Sequence, residues 1–495
     1  MKRWLTAATV LTVAISGVVF WQATSKSPLL RLGVPGQWVW KYDHSPYSDR
    51  AVYCLAGAAL LGWLCYTTRN RAQELIGGRV SLFLLGAIGL CFWIQATFPY
   101  VSKHAYGQAV LWMGTPKANA DFDEACKAGA LADLLKEYQD PNRPFRIHIS
   151  THPPGPVLFY VVQKRCWEAA PEAAEHFVSA MQLILPFAAE AQKELPRQLS
   201  SIERATLYSS MLLLWLAVAL GVVPLYFWAA EMFGPPSAVV AVAFYSLTPS
   251  FLLFNPMTDQ LYVPVSVALL ALYHLGLARR DPGQLAFAGA LTWLALQFTL
   301  AFLAVLFVIA VQVGLEIKAE GRARDMLRLL AWAGAGFVVL LLLFLFLPQR
   351  YNCLVVWKLC LANNAQFNLG RTYLPWVIYN PIDFVLFLGV PTAVFFVREA
   401  IVILRRRAEE TQWRLVVALL ATIALVNFAG INRGEVARLW MVFMPVAAAV
   451  AAHSFRPREE EEEPERDWTF PIAYGLLFVQ TALFKMSLDL LLPVS

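Results

Sequence analysis

Thirteen apolar runs, each near the roughly 17–25 residues a helix needs to cross a bilayer, dominate this 495-residue chain. They fall at about 4–22, 51–67, 79–98, 204–228, 236–254, 260–277, 283–297, 299–316, 325–347, 381–403, 413–430, 437–453 and 469–488. The pair spanning 283–316 is nearly continuous. Hydrocarbon offers no water to backbone N–H and C=O groups, so spans of this length are helices. The fold class expected is therefore all-α and polytopic, with about thirteen transmembrane helices. Composition agrees: charged residues make up 15% of the chain, against about a quarter in soluble domains.

Several alternatives fall away at once. The net charge of +6 is what Lys and Arg flanking membrane spans supply, and it gives no reason to invoke nucleic acid. Seven cysteines, with no CxxC pair and several inside apolar runs (Cys54, Cys65, Cys91), frame neither a disulfide scaffold nor a zinc site. Met1-Lys2-Arg3 before an apolar run without a small-x-small cleavage site reads as an uncleaved anchor. With the N-terminus cytoplasmic, the basic loops at Arg69 to Arg79, Arg279-Arg280, Lys318 to Arg324 and Arg405 to Arg407 share one side. The acidic run Glu459 to Glu463 joins them as a solvated loop. No internal repeat appears. The outer side receives 24–50, the long segment 99–203, the turn at Asp259, and 348–380 with 431–436.

Segment 99–203 is too long for a passive connection. Asp121-Phe122-Asp123-Glu124 opens a helical pattern continued by Ala128, Leu131, Leu134 and Leu135, with Asp121 as its expected cap. Thr151-His152-Pro153-Pro154-Gly155-Pro156 follows. A residue before proline is pushed to extended backbone, so His152 sits on a stiff strut just ahead of a short apolar helix. That helix carries Gln163-Lys164-Arg165, where a charge at mid-bilayer costs about 2.5–3.5 kcal/mol. It is expected to lie in the interface, with Lys164 and Arg165 snorkelling outward. Phe177 to Phe187 reads as a second such helix.

The order of these parts resembles the GT-C superfamily of membrane glycosyltransferases, and is similar to the protein O-mannosyltransferases and lipid A aminoarabinose transferases. Asp123-Glu124 matches their juxtamembrane acidic pair, His152-Pro153-Pro154 the motif before the next juxtamembrane helix, and Asp259 the later acid. The resemblance covers residues 79–320, leaving 1–78 as two preceding helices with an outer loop and 321–495 as C-terminal helices. It implies transfer of a sugar, with inversion, from a polyprenyl-phosphate donor to a lipid, glycan or protein acceptor. Asp123 would be the base, with Glu124 as its substitute, and Asp259 would support the site. His152 would hold the donor phosphate with Arg438, or with Arg371. The resemblance leaves room for a divalent metal ion beside Asp259. Short inner loops and the absence of organelle signals point to the cytoplasmic membrane of a bacterium, with the site facing the periplasm or exterior. Gln297 stands where many relatives carry Lys.

Each of these residues also has a structural role open to it. Asp123 and Glu124 suit a helix start, and Asp259 suits the cap of the helix after it. Arg438 can pair with Glu435, and Lys485 with Asp489. Asp121, Asp43 and Asp49 are alternatives for the base, and His44, His104 and His148 lack ligand spacing. A transporter would place ionisable groups near the midplane on repeated halves, which this order does not do. A non-catalytic scaffold derived from the same fold would preserve the motifs without activity.

Overall fold

The computed structural model describes residues 2–25, 33–42, 48–75, 77–102, 104–142, 147–346, 351–406, 410–456 and 467–489. The chain is an all-α polytopic membrane protein. Eleven of the described helices are long and apolar enough to cross a membrane, and one bent pair makes a further candidate. Asp43, His44 and the acidic run 459–463 lie outside the described residues, as does the side chain of His148.

Two of the thirteen expected spans differ from the expectation, each for a local reason. The run 283–316 breaks into the helices Pro282–Leu296 and Phe302–Glu320. At 15 residues the first is about 22 Å long, short of a roughly 30 Å hydrocarbon core. It packs against Ala323–Phe346 through small residues. A Cβ on Gly289 would meet the Ala333 carbonyl oxygen at 1.8 Å, and one on Gly336 the Ala286 oxygen at 1.9 Å. Backbones that approach this closely are how helices associate where apolar surface gives no driving force. The expected span 381–403 is instead two helices, Tyr373–Leu388 and Val390–Arg406, bent by 109°. Gly389 at the bend has φ +95°, open to glycine and costly for residues with a side chain. The segment 348–380, expected only as a loop, holds the start of that bent pair and the helix Cys353–Leu369.

Pro235–Leu253 is buried throughout and forms the axis of the bundle. The first helix, Lys2–Thr24, packs on the last, Thr469–Ser487, and Ala51–Arg69 packs on Gly78–Thr97 and Pro235–Leu247. Residues 1–78 thus share one hydrophobic core with the middle and the end of the chain. The last helix stops at Ser487, and the Asp489 side chain of the expected Lys485–Asp489 pairing lies outside what the structure describes. Leu488–Asp489 turns extended and pairs with Lys41–Tyr42. The Lys485 ammonium lies 5.3 Å from the Trp112 ring centroid and 5.8 Å from that of Phe98.

The long segment folds as a second hydrophobic cluster on the bundle. The acidic helix Ala120–Lys127 packs on Gly155–Glu168, which packs on Ser201–Leu220. The cap of the acidic helix is Asn119 rather than Asp121: its side chain accepts from the Phe122 N–H at 3.3 Å and donates to Tyr160 Oη at 3.0 Å. Lys164 and Arg165, expected to snorkel, both make contacts within the protein. Lys164 Nζ donates to the carbonyls of Cys126 and Ala128, and Arg165 to that of Gly129, so both cations satisfy the C-terminal end of the acidic helix. The expected helix at 177–187 is Pro171–Ile184 followed by Ala188–Lys193.

Candidate functional site

His152 follows a single helical turn, Ile147–Ser150, and precedes Pro153-Pro154. The strut docks where the 283–316 run breaks: the Gly155 N–H donates to the Gln297 carbonyl at 2.7 Å. A Cβ at position 155 would stand 2.4 Å from that oxygen, so only glycine fits. The Gln297 side chain is held in turn by the Tyr351 hydroxyl, which donates to its Oε1 at 2.7 Å. The Asn363 side chain braces the other side, donating to the Ser150 carbonyl at 3.0 Å.

Asp259 lies on the turn after Phe254, which a buried polar network fixes. Asn255 Nδ2 donates to the Gln95 carbonyl at 2.6 Å, and Gln260 Nε2 donates to Gln95 Oε1 at 3.0 Å and to the Phe251 carbonyl at 2.7 Å. Onto this fixed acid comes Arg438, 179 residues later, with Nε at 2.7 Å and Nη2 at 2.5 Å from Asp259 Oδ2. Both donors take the same oxygen, and the Tyr262 hydroxyl is a further hydrogen-bond partner of the carboxylate. Asp259 is also within electrostatic reach of His152. Glu435 lies 3.8 Å from Arg438 and 2.7 Å from Arg371, so Asp259, Arg438, Glu435 and Arg371 form one chain of alternating charge. Glu435 holds a left-handed backbone, φ +59°, a conformation that costs a residue with a Cβ roughly 1–3 kcal/mol.

The acidic helix presents its two aspartates differently. Positions 121 and 123 are about 200° apart around a helix, so they face opposite ways. Asp123 turns to the cations Lys127, at 2.6 Å, and Arg197, at 3.9 Å, with Arg197 also held by Glu203 at 2.9 Å. Asp121 turns to the cluster of Asp259 and Arg438. Burial first, and then the Asp259 carboxylate, push the Asp121 carboxyl up to about 7, with Arg438 pulling the other way. Glu124 is half-buried on the same helix. Asp49 is exposed, as is His104.

Two cavities meet at the Arg371–Glu435 pair. The first, about 340 Å³, has apolar walls from Leu300, Leu303, Phe307, Leu361, Leu425 and Val426. Leu303, Phe307, Leu361 and Leu425 stand on the outside of the bundle, so the groove faces the surrounding lipid. Its polar lining comprises His152, Asn364, Asn368, Arg371, Arg433 and Glu435 among others. Arg433 was not singled out in the sequence as a site residue, yet it differs from its neighbours in one decisive respect. Arg438 is neutralised by Asp259 and Arg371 by Glu435. Among the described residues Arg433 has no carboxylate partner, and its Nη1 donates only to the carbonyls of Asn368 and Arg371, at 3.0 and 2.6 Å. A half-buried guanidinium without a counter-ion, at the head of an apolar groove, favours an anion. The second cavity, about 260 Å³, is lined by Trp38, Trp40, Trp112, Phe254, Phe367, Arg371, Glu435 and Arg438 among others.

A divalent metal ion does not fit well beside Asp259. One of its oxygens is spanned by Arg438, and among the described residues no three His, Cys, Asp or Glu side chains converge. The chain matches no model of a known protein family, and no curated protein is significantly similar to it.

Proposed function

We propose that the chain is an inverting membrane glycosyltransferase that takes a sugar from a polyprenyl-phosphate carrier. The observation that carries this reading is Arg433, which pairs with no carboxylate among the described residues, lining with His152 a lipid-facing apolar groove, with the Asp121–Asp259–Arg438 cluster adjoining it. A groove of this composition suits an isoprenoid tail, and the cation at its head suits the phosphate.

In this reading the donor phosphate is held by Arg433 and His152, with Arg371 close by. The acceptor hydroxyl oxygen attacks the anomeric carbon on the face opposite the phosphate. The bond from that carbon to the phosphate oxygen breaks, and the phosphate leaves with the electron pair. The hydroxyl proton passes to Asp121, whose affinity near neutrality suits a general base. Asp259 and Arg438 fix the geometry and hold the charge around it. Asp123, engaged by Lys127 and Arg197, keeps the acidic helix in place. The polar head would face the periplasm or cell exterior, from the cytoplasmic membrane.

The test is transfer in proteoliposomes from a panel of radiolabelled polyprenyl-phosphate sugars into envelope lipid and glycan extract. Wild-type activity that collapses in Asp121→Asn and His152→Ala supports the reading. Transfer that survives Asp121→Asn and collapses in Asp123→Asn returns the base role to Asp123. Failure to transfer from any donor in the panel overturns the reading.

A further inference from the structure

We infer that the second cavity is a saccharide site, and that the acceptor is a glycan rather than a polypeptide. Its identity as the acceptor site rests on the transferase reading; its fitness for a sugar ring does not.

Three tryptophans and two phenylalanines line a space of about 260 Å³ together with two arginines and a glutamate. That combination is selective. A pyranose ring has apolar C–H faces that lie against indole, and an equatorial belt of hydroxyls that bind carboxylate and guanidinium groups. A lipid tail would leave Arg371, Glu435 and Arg438 facing hydrocarbon. A peptide needs a longer cleft, and this volume lies below the roughly 300–1,000 Å³ of pockets for drug-sized ligands. It is the size of one sugar unit.

The aromatic wall is rigid before any ligand arrives. Trp38 ends a tight hairpin in which Gly33–Val34 pairs with Trp38–Val39, and a Cβ on Gly33 would meet the Trp38 carbonyl oxygen at 2.3 Å. Gln37 at its tip accepts from the Trp376 indole at 2.9 Å and from the Thr372 N–H at 3.0 Å, and donates to the Thr372 hydroxyl at 2.9 Å. Trp38 and Trp40 meet edge to face with centroids 4.2 Å apart. Trp112 on the opposite element is 4% exposed, and its indole N–H has no acceptor among the described residues. The cavity shares Arg371 and Glu435 with the lipid-facing groove and includes Arg438, so a ring bound here lies beside the acid cluster.

The experiment is saturation-transfer NMR on the purified full chain in nanodiscs, without donor. The probes are the methyl pyranosides of glucose, mannose, galactose and rhamnose, and a blocked Ser/Thr tripeptide. The expected result is saturation transfer to at least one pyranoside and none to the peptide. Trp38→Leu should raise the pyranoside Kd at least tenfold, and Trp38→Phe, which keeps an aromatic face, should restore most of it. Thermal unfolding checks that both variants are folded. The inference is overturned if no pyranoside receives saturation, if the peptide does so in preference, or if folded Trp38→Leu binds like wild type. Pyranoside binding by a chain that fails the proteoliposome assay would keep the saccharide site and remove the transferase reading. Transfer by a chain that binds no pyranoside would do the reverse.

Discussion

The acid limb of the pH–rate profile discriminates most sharply among the roles assigned to the acidic helix. Asp121 is held near 7 by burial and by the neighbouring Asp259 carboxylate, where an ordinary aspartate titrates near 3.8. A base must be ionised to act, so kcat/KM should follow the ionised fraction of Asp121. That fraction is about nine-tenths at pH 8 and about one-hundredth at pH 5, so the rate should fall by roughly two orders of magnitude across that span. Radiolabelled transfer measured in proteoliposomes from pH 5 to 9 reads this directly. Asp259→Asn removes the like charge, so any residual activity should show its limb at lower pH. Stability supplies an independent readout. The folded state holds the Asp121 proton more tightly than the unfolded chain, so stability from this group is full below about 3.8 and falls as pH rises towards 7. Asp121→Asn should flatten that fall in thermal unfolding. A rate that stays level from pH 5 to 8 would refute the assignment of Asp121 as base, as would an Asp121→Asn variant with the wild-type profile.

Other consequences follow from particular contacts. Asp123→Asn should lose the pairing with Lys127 and Arg197 and lower the unfolding temperature, while kcat keeps at least a tenth of its wild-type value; a loss as deep as that of Asp121→Asn would contradict the division of roles. Gly155→Ala drives a methyl into the Gln297 carbonyl and should cost about 1–3 kcal/mol by thermal unfolding, as overpacking does, with transfer falling further than stability. An unchanged unfolding temperature would mean the strut is not docked as described. Arg438→Ala leaves Asp259 charged and buried, which should cost about 3–5 kcal/mol, whereas the double variant Arg438→Met with Asp259→Asn should recover much of that loss. Equal destabilisation of the single and double variants would show that the pair is not what holds these elements together.

The membrane architecture was legible in the sequence because span length is set by the bilayer and apolar runs announce it. The two misread spans, 283–297, which is too short to cross, and 381–403, which is bent in two, end or break at features that hydropathy does not weigh. One is a carbonyl at Gln297 taken by Gly155 from another part of the chain, and the other a left-handed glycine at position 389. The sequence marks a local break at His152-Pro153-Pro154 and another before Asp259, but Asp259 is buried within the turn Thr258–Leu261 and caps no helix. The partners of these two segments were not readable. Arg438 and Asp259 are 179 positions apart, and nothing local to Arg438 distinguishes it from Arg433. The difference is that, among the described residues, one finds a carboxylate in space and the other does not. Lys164 and Arg165 were assigned to the lipid interface because charge in an apolar helix suggests snorkelling, but a neighbouring helix C-terminus offered carbonyls first. The choice between Asp121 and Asp123 needed only helical phase, provided the direction of the site was known, and that direction is tertiary information.

The central claim is that a lipid phosphate seats its head between His152 and Arg433 and its tail along the groove of Leu300, Leu303, Phe307 and Leu425. Cryo-electron microscopy of the chain in nanodiscs loaded with polyprenyl phosphate tests this most directly, with Arg433→Ala beside it. The account predicts head-group density within hydrogen-bonding distance of Arg433, continuous with tail density in the groove. In Arg433→Ala the loss of one charge-assisted contact should weaken polyprenyl-phosphate binding by about 1.5–3 kcal/mol, roughly ten- to a hundredfold in Kd. An empty groove in the loaded wild type, or lipid phosphate seated elsewhere with Arg433→Ala binding unchanged, would contradict it.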